Sequence, residues 1–234
     1  MSAPIKALTL SGIPALLYGA DSERVFLHVH GKMGCKEEAE RLADIACPRG
    51  WQVLSVDLPG HGERKEAAER FTPWDVIPEL GEIYRRMRPR WPEIALYATS
   101  MGCWFSMLAF PEESFVQALF VSPVVDMEKL IQKLMDWSGV TEERLEREKM
   151  IPTDWDEVLS WDYYTWVREH PVRRWTAPTA LLFGERDHLT DLATVEEFAR
   201  RFGAELEVIP DSKHWFQDER QLAALADWTE RKLR

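Results

Sequence analysis

A chain of 234 residues with 45% hydrophobic side chains is long and apolar enough to bury a sizeable core as one domain. Its formal charge of −11, dispersed rather than gathered into runs, excludes nucleic acid as a partner, because a phosphate backbone selects a basic surface. Cys35, Cys47 and Cys103 are too few and odd in number for a disulfide framework, and their spacing fits no zinc motif. No basic-then-apolar leader opens the chain and no apolar run is long enough for a membrane span, so a reduced, cytoplasmic protein is expected.

Ile5–Leu10 and Ile13–Tyr18 flank Ser11-Gly12, which predicts a hairpin with a tight turn. A strand from Arg24 leads into His30-Gly31-Lys32-Met33-Gly34. A helix should follow with Ala39, Leu42, Ala43 and Ala46 on one face, ended by Pro48-Arg49-Gly50. Trp51 to Val56 reads as a strand, with a glycine-rich loop, Asp57-Leu-Pro-Gly-His-Gly62, at its end. Thr72-Pro73 has the form of an N-cap followed by proline at the first helical position. Pro78 and Gly81 predict irregular first turns there, with the firm helix confined to Glu79–Met87.

The next stretch carries the first chemical signal. Ile94, Leu96 and Ala98 alternate with Ala95 and Tyr97, as in a strand buried on both faces. Met101, Trp104, Phe105, Met107 and Leu108 follow in a run apolar nearly all round, as in a core helix. Ala98-Thr99-Ser100-Met101-Gly102 leaves almost no residues for the turn between them. A serine there would be held in a strained conformation with its hydroxyl at the sheet edge, the logic of the G-x-S-x-G elbow, with Ala98 in place of the first glycine. Ser100 as a plain helix N-cap reads equally well from this stretch alone.

Phe115–Val121, Thr179–Phe183 and Glu205–Ile209 supply further strands. A helix over Thr190–Phe202 should bury Leu192, Val195, Ala199 and Phe202, and a closing helix carries Leu222, Leu225 and Trp228. From residue 24 onward strands and helices alternate, which predicts a mostly parallel, twisted sheet of about eight strands with helices on both faces, an α/β fold. His30, Asp57, Ser100 and Gly184 each sit just past a strand end, so they should face one crevice. Residues 1–122 and 176–234 form the expected core. Residues 123–175 are too long for a connection and rich in helix formers, and read as an inserted helical unit. Its aromatics, Trp137, Trp155, Trp161, Trp166, Trp175, Tyr163 and Tyr164, either dock it onto the sheet or give a lid an apolar inner wall.

A serine hydroxyl needs a base within hydrogen-bond reach, and the base needs an acid to orient it. Gly184-Glu-Arg-Asp187 places an aspartate after one late strand, and His214 follows the last one. With His30-Gly31-Lys32-Met33-Gly34, Asp57-Leu-Pro-Gly-His-Gly62 and the Ser100 elbow, the chain resembles the α/β-hydrolases in motif order over nearly its whole length outside the insertion. The resemblance implies Ser100 as nucleophile, His214 as general base and then acid, and Asp187 as the residue orienting His214. It implies an oxyanion hole from the backbone N–H groups of Lys32 and Met101, a lid between the sixth and seventh strands, and no metal or organic cofactor. His188 competes with His214 and Asp126 with Asp187, each less well placed in its loop. His30 and His61 are expected to hold their loops. Lys32 is either a solvated lysine or a contact for an anionic substrate. Glu63 and Arg64, just after the glycine loop, could reach the pocket rim, but no pattern assigns them there. The expected activity is hydrolysis of carboxylic esters with small or medium acyl groups through an acyl-enzyme. Thioester hydrolysis and non-catalytic small-molecule binding on the same fold are the alternatives.

Overall fold

The structure, a computed structural model, describes residues 3–154 and 157–234; Trp155 lies outside them. β1 (Ile5–Leu10) and β2 (Ile13–Tyr18) form the hairpin, with Leu10 opposite Ile13. Ser11 and Gly12 both take positive φ, 53° and 84°, the pairing that matches a two-residue turn to strand twist. β3 (Arg24–Val29), α1 (Glu40–Ala46), β4 (Gln52–Val56), α2 (Pro73–Met87), β5 (Glu93–Thr99), α3 (Met101–Ala109) and β6 (Ala118–Val121) follow. The 123–175 segment holds α4 (Met127–Trp137), α5 (Glu142–Glu148), a ribbon of β7 (Met150–Pro152) and β8 (Val158–Ser160), and α6 (Trp161–Glu169). β9 (Thr179–Gly184), α7 (Leu192–Phe202), β10 (Glu205–Ile209) and α8 (Glu219–Lys232) complete the chain.

The main sheet has the order β1-β2-β4-β3-β5-β6-β9-β10, antiparallel through β2–β4 and parallel beyond. Pleating divides β5 between two cores. Ile94, Leu96 and Ala98 join the layer with α2, α3, α7 and the 123–175 segment, whereas Ala95 and Tyr97 face the layer with α1 and α8. Helices therefore cover both faces, and the parallel strands end on one edge.

Three local expectations are revised. α2 is helical from Pro73, capped by Thr72 through the Asp75 N–H at 3.3 Å. Pro78 removes the bond to the Trp74 carbonyl, but Trp74 is 46% exposed, so water can replace it. Val76, Leu80, Ile83, Tyr84 and Met87 bury one stripe that holds the helix on the sheet. β6 begins only at Ala118, because Phe115 turns into an aromatic cluster with Tyr84 and Phe110, at 5.1 and 5.3 Å between ring centres. The insertion is not purely helical, since it carries the β7–β8 ribbon. Of its aromatics, Trp175 is a docking residue: it packs on Phe120 and its indole N–H donates to Thr179 Oγ1 at 2.7 Å.

Candidate active site

Ser100 stands between β5 and α3 with φ 52° and ψ −121°, a strained conformation for a residue with a side chain. Two packing demands hold it there. A Cβ on Gly102 would lie 2.5 Å from the His30 carbonyl oxygen and 2.6 Å from that of Val29, so α3 rests directly on the end of β3. On the strand side Ala98 is completely buried between Val29 and Phe120, its partners in the ladders. The alanine in place of glycine thus costs the turn nothing visible. The Ser100 N–H donates to the Val121 carbonyl (3.0 Å) and its own carbonyl accepts from Val124 (3.2 Å), locking the turn to β6.

The expected partners converge on this hydroxyl. Ser100 Oγ lies 2.8 Å from His214 Nε2, and His214 Nδ1 lies 2.6 Å from Asp187 Oδ2. A carboxylate only accepts, so Nδ1 carries the imidazole proton and Nε2 offers its lone pair to the Ser100 hydroxyl. Asp187 Oδ1 accepts the N–H groups of Leu189 (2.8 Å) and Thr190 (3.1 Å), which fixes the plane of the carboxylate. The side chains of His214 and Asp187 are 1% and 0% exposed. Close backbone approach brings their loops together: a Cβ on Gly184 would meet the Ser212 and Lys213 carbonyl oxygens, each at 2.5 Å.

His188 turns away from Ser100 and stacks on Trp137, with ring centres 6.1 Å apart. Asp126 caps α4, accepting the Lys129 N–H at 3.1 Å. Neither competitor enters the hydrogen-bonded chain. Ser122, which the sequence reading passed over, does support it: its buried hydroxyl donates to the His214 carbonyl at 2.6 Å. A polar residue just past the end of β6 was the available signal. Tyr163, one of the insertion aromatics singled out in the sequence, has a buried hydroxyl with no partner among the described residues.

The loop after β3 borders Ser100, since a Cβ on Gly31 would come within 3.0 Å of the Ser100 Cβ. Neither the Lys32 nor the Met101 backbone N–H has a protein acceptor among the described residues. The Lys32 ammonium pairs with Glu157 of the insertion. Two histidines buckle this loop to the one after β4. His30 Nδ1 donates to the Gly31 carbonyl (2.7 Å) while Nε2 accepts the Leu58 N–H (3.1 Å). His61 Nδ1 donates to the Pro59 carbonyl (2.8 Å) while Nε2 accepts the Met33 N–H (2.9 Å). Each ring must be neutral to accept. Burial agrees, pushing His30 down to about 4 and also lowering His61.

The remaining charges of the glycine loop are structural. Asp57, fully buried, binds the Lys36 ammonium (2.8 Å) and the backbone N–H groups of Lys36 (2.9 Å) and Glu63 (3.0 Å). Burial opposes ionisation of both Lys36 and Asp57, yet their hydrogen bonds prevail, holding Lys36 above and Asp57 below its ordinary value. Glu63 also pairs with Lys36 (2.7 Å), and Arg64 makes a two-pronged bond to Glu79 (2.7 and 2.9 Å), so both are committed to the loop.

The family model of the alpha/beta hydrolase family matches residues 25–228. The chain belongs to that family. Est1E from Butyrivibrio proteoclasticus, with ferulic acid bound, is 16% identical over 97% of this chain and 96% of that one, with a TM-score of 0.78. A protein from Agrobacterium vitis S4 is 15% identical over the whole of both chains, with a TM-score of 0.81. An esterase from Pyrococcus furiosus is 17% identical over 98% of this chain and 89% of that one, with a TM-score of 0.68. No curated protein matches the chain. Identities this low carry the fold; a hydrolase fold hosts many substrates, so chemistry has to be argued from the site.

Proposed function

We propose that the protein is a serine hydrolase that cleaves carboxylic esters of small or medium acyl groups. The observation that carries this reading is the unbroken chain Ser100–His214–Asp187, at 2.8 and 2.6 Å, starting from a serine held at positive φ. His214 Nε2 takes the Ser100 proton as Oγ attacks the ester carbonyl, and the backbone N–H groups of Lys32 and Met101 receive the developing oxyanion. Such donors typically contribute about 2.7–4 kcal/mol each. As the carbon–oxygen bond to the leaving group breaks, His214 passes its proton to the departing oxygen. Water then attacks the acyl-enzyme with His214 again as base, releasing the acid and restoring Ser100. The likeness to the Pyrococcus furiosus esterase and to Est1E, which holds ferulic acid, supports the substrate class.

Residues 123–175 serve in this reading as a lid on a core of 1–122 and 176–234. Its support is the contact made by Glu157 on Lys32 and by Tyr163 on Trp104 of α3, at 6.2 Å between ring centres. A reducing compartment, the cytoplasm, suits the three free thiols, and Cys103, buried behind the elbow, has its thiol pushed well up by burial. The test is a panel of p-nitrophenyl esters together with a fluorophosphonate probe. The parent should turn over short and medium esters and label at Ser100, and Ser100→Ala should lose both. A folded parent that neither labels nor turns over any ester rules the reading out.

A further inference from the structure

The last residue of β6 and the turn after it, Val121-Ser122-Pro123-Val124, hold both reacting residues of the proposed site. The Val121 carbonyl and the Val124 N–H take the two backbone groups of Ser100, at 3.0 and 3.2 Å, and the Ser122 hydroxyl donates to the His214 carbonyl at 2.6 Å. The Ser122 N–H donates to the Leu182 carbonyl of β9 at 2.8 Å, and Pro123 has no N–H, so each donor of the turn is committed. All four residues are buried, Ser122 completely. One short turn thus spans from nucleophile to base through a packed interior that resists small displacements.

The loop that carries His214 is tied on two sides. Toward β9, the Arg186 N–H donates to the Ser212 carbonyl at 2.8 Å and Asp187 accepts from the imidazole, bonds that align His214 with its acid. Toward the nucleophile, the Ser122 hydroxyl makes the one hydrogen bond, among the described residues, between the backbone of residues 210–216 and β6 or the elbow. Its conformation is costly. The φ of Ser122 is 46°, in the left-handed region that glycine occupies freely and a residue with a Cβ does not. Glycine would relax the backbone there; what serine adds is the hydroxyl on His214. Strain of this kind gathers at functional sites, where the surroundings hold it in place. We infer that Ser122 is a positioning residue, whose hydroxyl fixes the His214 backbone at the distance from the elbow at which Nε2 can take the Ser100 proton. It transfers no proton itself and acts through His214. This role rests on the hydrolase reading above.

The experiment compares Ser122→Gly, which removes the hydroxyl and relaxes the backbone, with Ser122→Ala, which removes the hydroxyl and keeps the strain. The control is Thr229→Val in α8, where another buried hydroxyl loses its bond to a backbone carbonyl, that of Leu225 at 2.8 Å. The readout is labelling of Ser100 by fluorophosphonate: its amplitude counts folded sites, and its rate constant reports proton removal by His214. Both Ser122 variants should label to full amplitude. Labelling and kcat/KM on p-nitrophenyl acetate should slow together, about tenfold to a hundredfold, the cost of a catalytic group displaced by up to about 1 Å. Thr229→Val should lose stability in urea and keep the parent's rate constant. Ser122→Gly labelling at the parent's rate constant, reduced amplitude without a slower rate, or equal slowing in Thr229→Val each overturns the positioning role. Failure of the hydrolase reading shows separately, as a folded parent that never labels.

Discussion

Asp187→Asn is the substitution for which the structure gives the sharpest expectation. Asp187 Oδ1 is held by two backbone N–H donors, from Leu189 and Thr190, while Oδ2 faces His214 Nδ1 at 2.6 Å. An asparagine at this position has one acceptor oxygen and one NH2 group. Turning the NH2 toward the two backbone donors would set donor against donor in a buried site, so the amide oxygen must stay there. The NH2 then faces Nδ1, which can bond to it only by giving up its proton. The imidazole proton moves to Nε2, and His214 points a donor at Ser100 where a base is needed. Forcing the wrong tautomer in this way costs roughly 10⁴ in kcat, about 5 kcal/mol of barrier. The assay is kcat/KM on a p-nitrophenyl ester, with circular dichroism to establish that the variant is folded. Activity within tenfold of the parent would refute the reasoning. Asp126→Ala provides the contrast: it removes only the α4 cap, costing about 1 kcal/mol of stability, and should not produce the tautomer defect.

Two further outcomes concern the scaffold. Gly102→Ala would drive a methyl group onto the His30 and Val29 carbonyl oxygens, at 2.5 and 2.6 Å, where backbone rather than a flexible side chain must yield. Overpacking of this kind costs typically about 1–3 kcal/mol, occasionally more, and a change below about 0.5 kcal/mol in urea unfolding contradicts the close approach. Acid should weaken the fold through two buried histidines. Burial pushes His28 down to about 3 and His30 down to about 4, so each stays neutral in the folded chain while its unfolded counterpart takes up a proton. Their contribution is complete above the ordinary histidine range and is lost as pH falls from about 6.5 toward those lowered values, at about 1.4 kcal/mol per pH unit for each. Urea midpoints measured between pH 6.5 and 4.5 that do not fall would show that the two rings are not held neutral.

The alternation of Ile94, Leu96 and Ala98 with Ala95 and Tyr97, followed at once by a helix apolar nearly all round, was enough to mark β5, α3 and the serine between them. Patterns of this kind are local, since strand and helix periods and the small residues of a tight turn are read within a few positions. The same holds for Ser11-Gly12, and for the alternation from residue 24 that implies a parallel sheet. Local rules failed where a distant surface overrode them: the stripe of α2 buried against the sheet carries the helix through Pro78 and Gly81, and the pull of Tyr84 and Phe110 on Phe115 shortens β6. The order of the strands, which places β4 on one side of β3 and β5 on the other, was not legible, because pairing partners are separated by whole elements.

For the site, the sequence by itself supplied the residue types and their order: Ser100, then Asp187, then His214, with glycines at the close approaches. It could not choose between His214 and His188, or between Asp187 and Asp126, on distance. Only the folded chain did that, by setting Gly184 against the Ser212 and Lys213 backbone so that His214 meets both Asp187 and Ser100, while His188 turns outward onto Trp137. The supports of the site were beyond the sequence for the same reason. Ser122 holds the His214 carbonyl across 92 positions of sequence, and Lys36 reaches Asp57 across 21. Such contacts are properties of a packed interior, in which backbone and side chains from remote segments share one small volume and each polar group must find a partner.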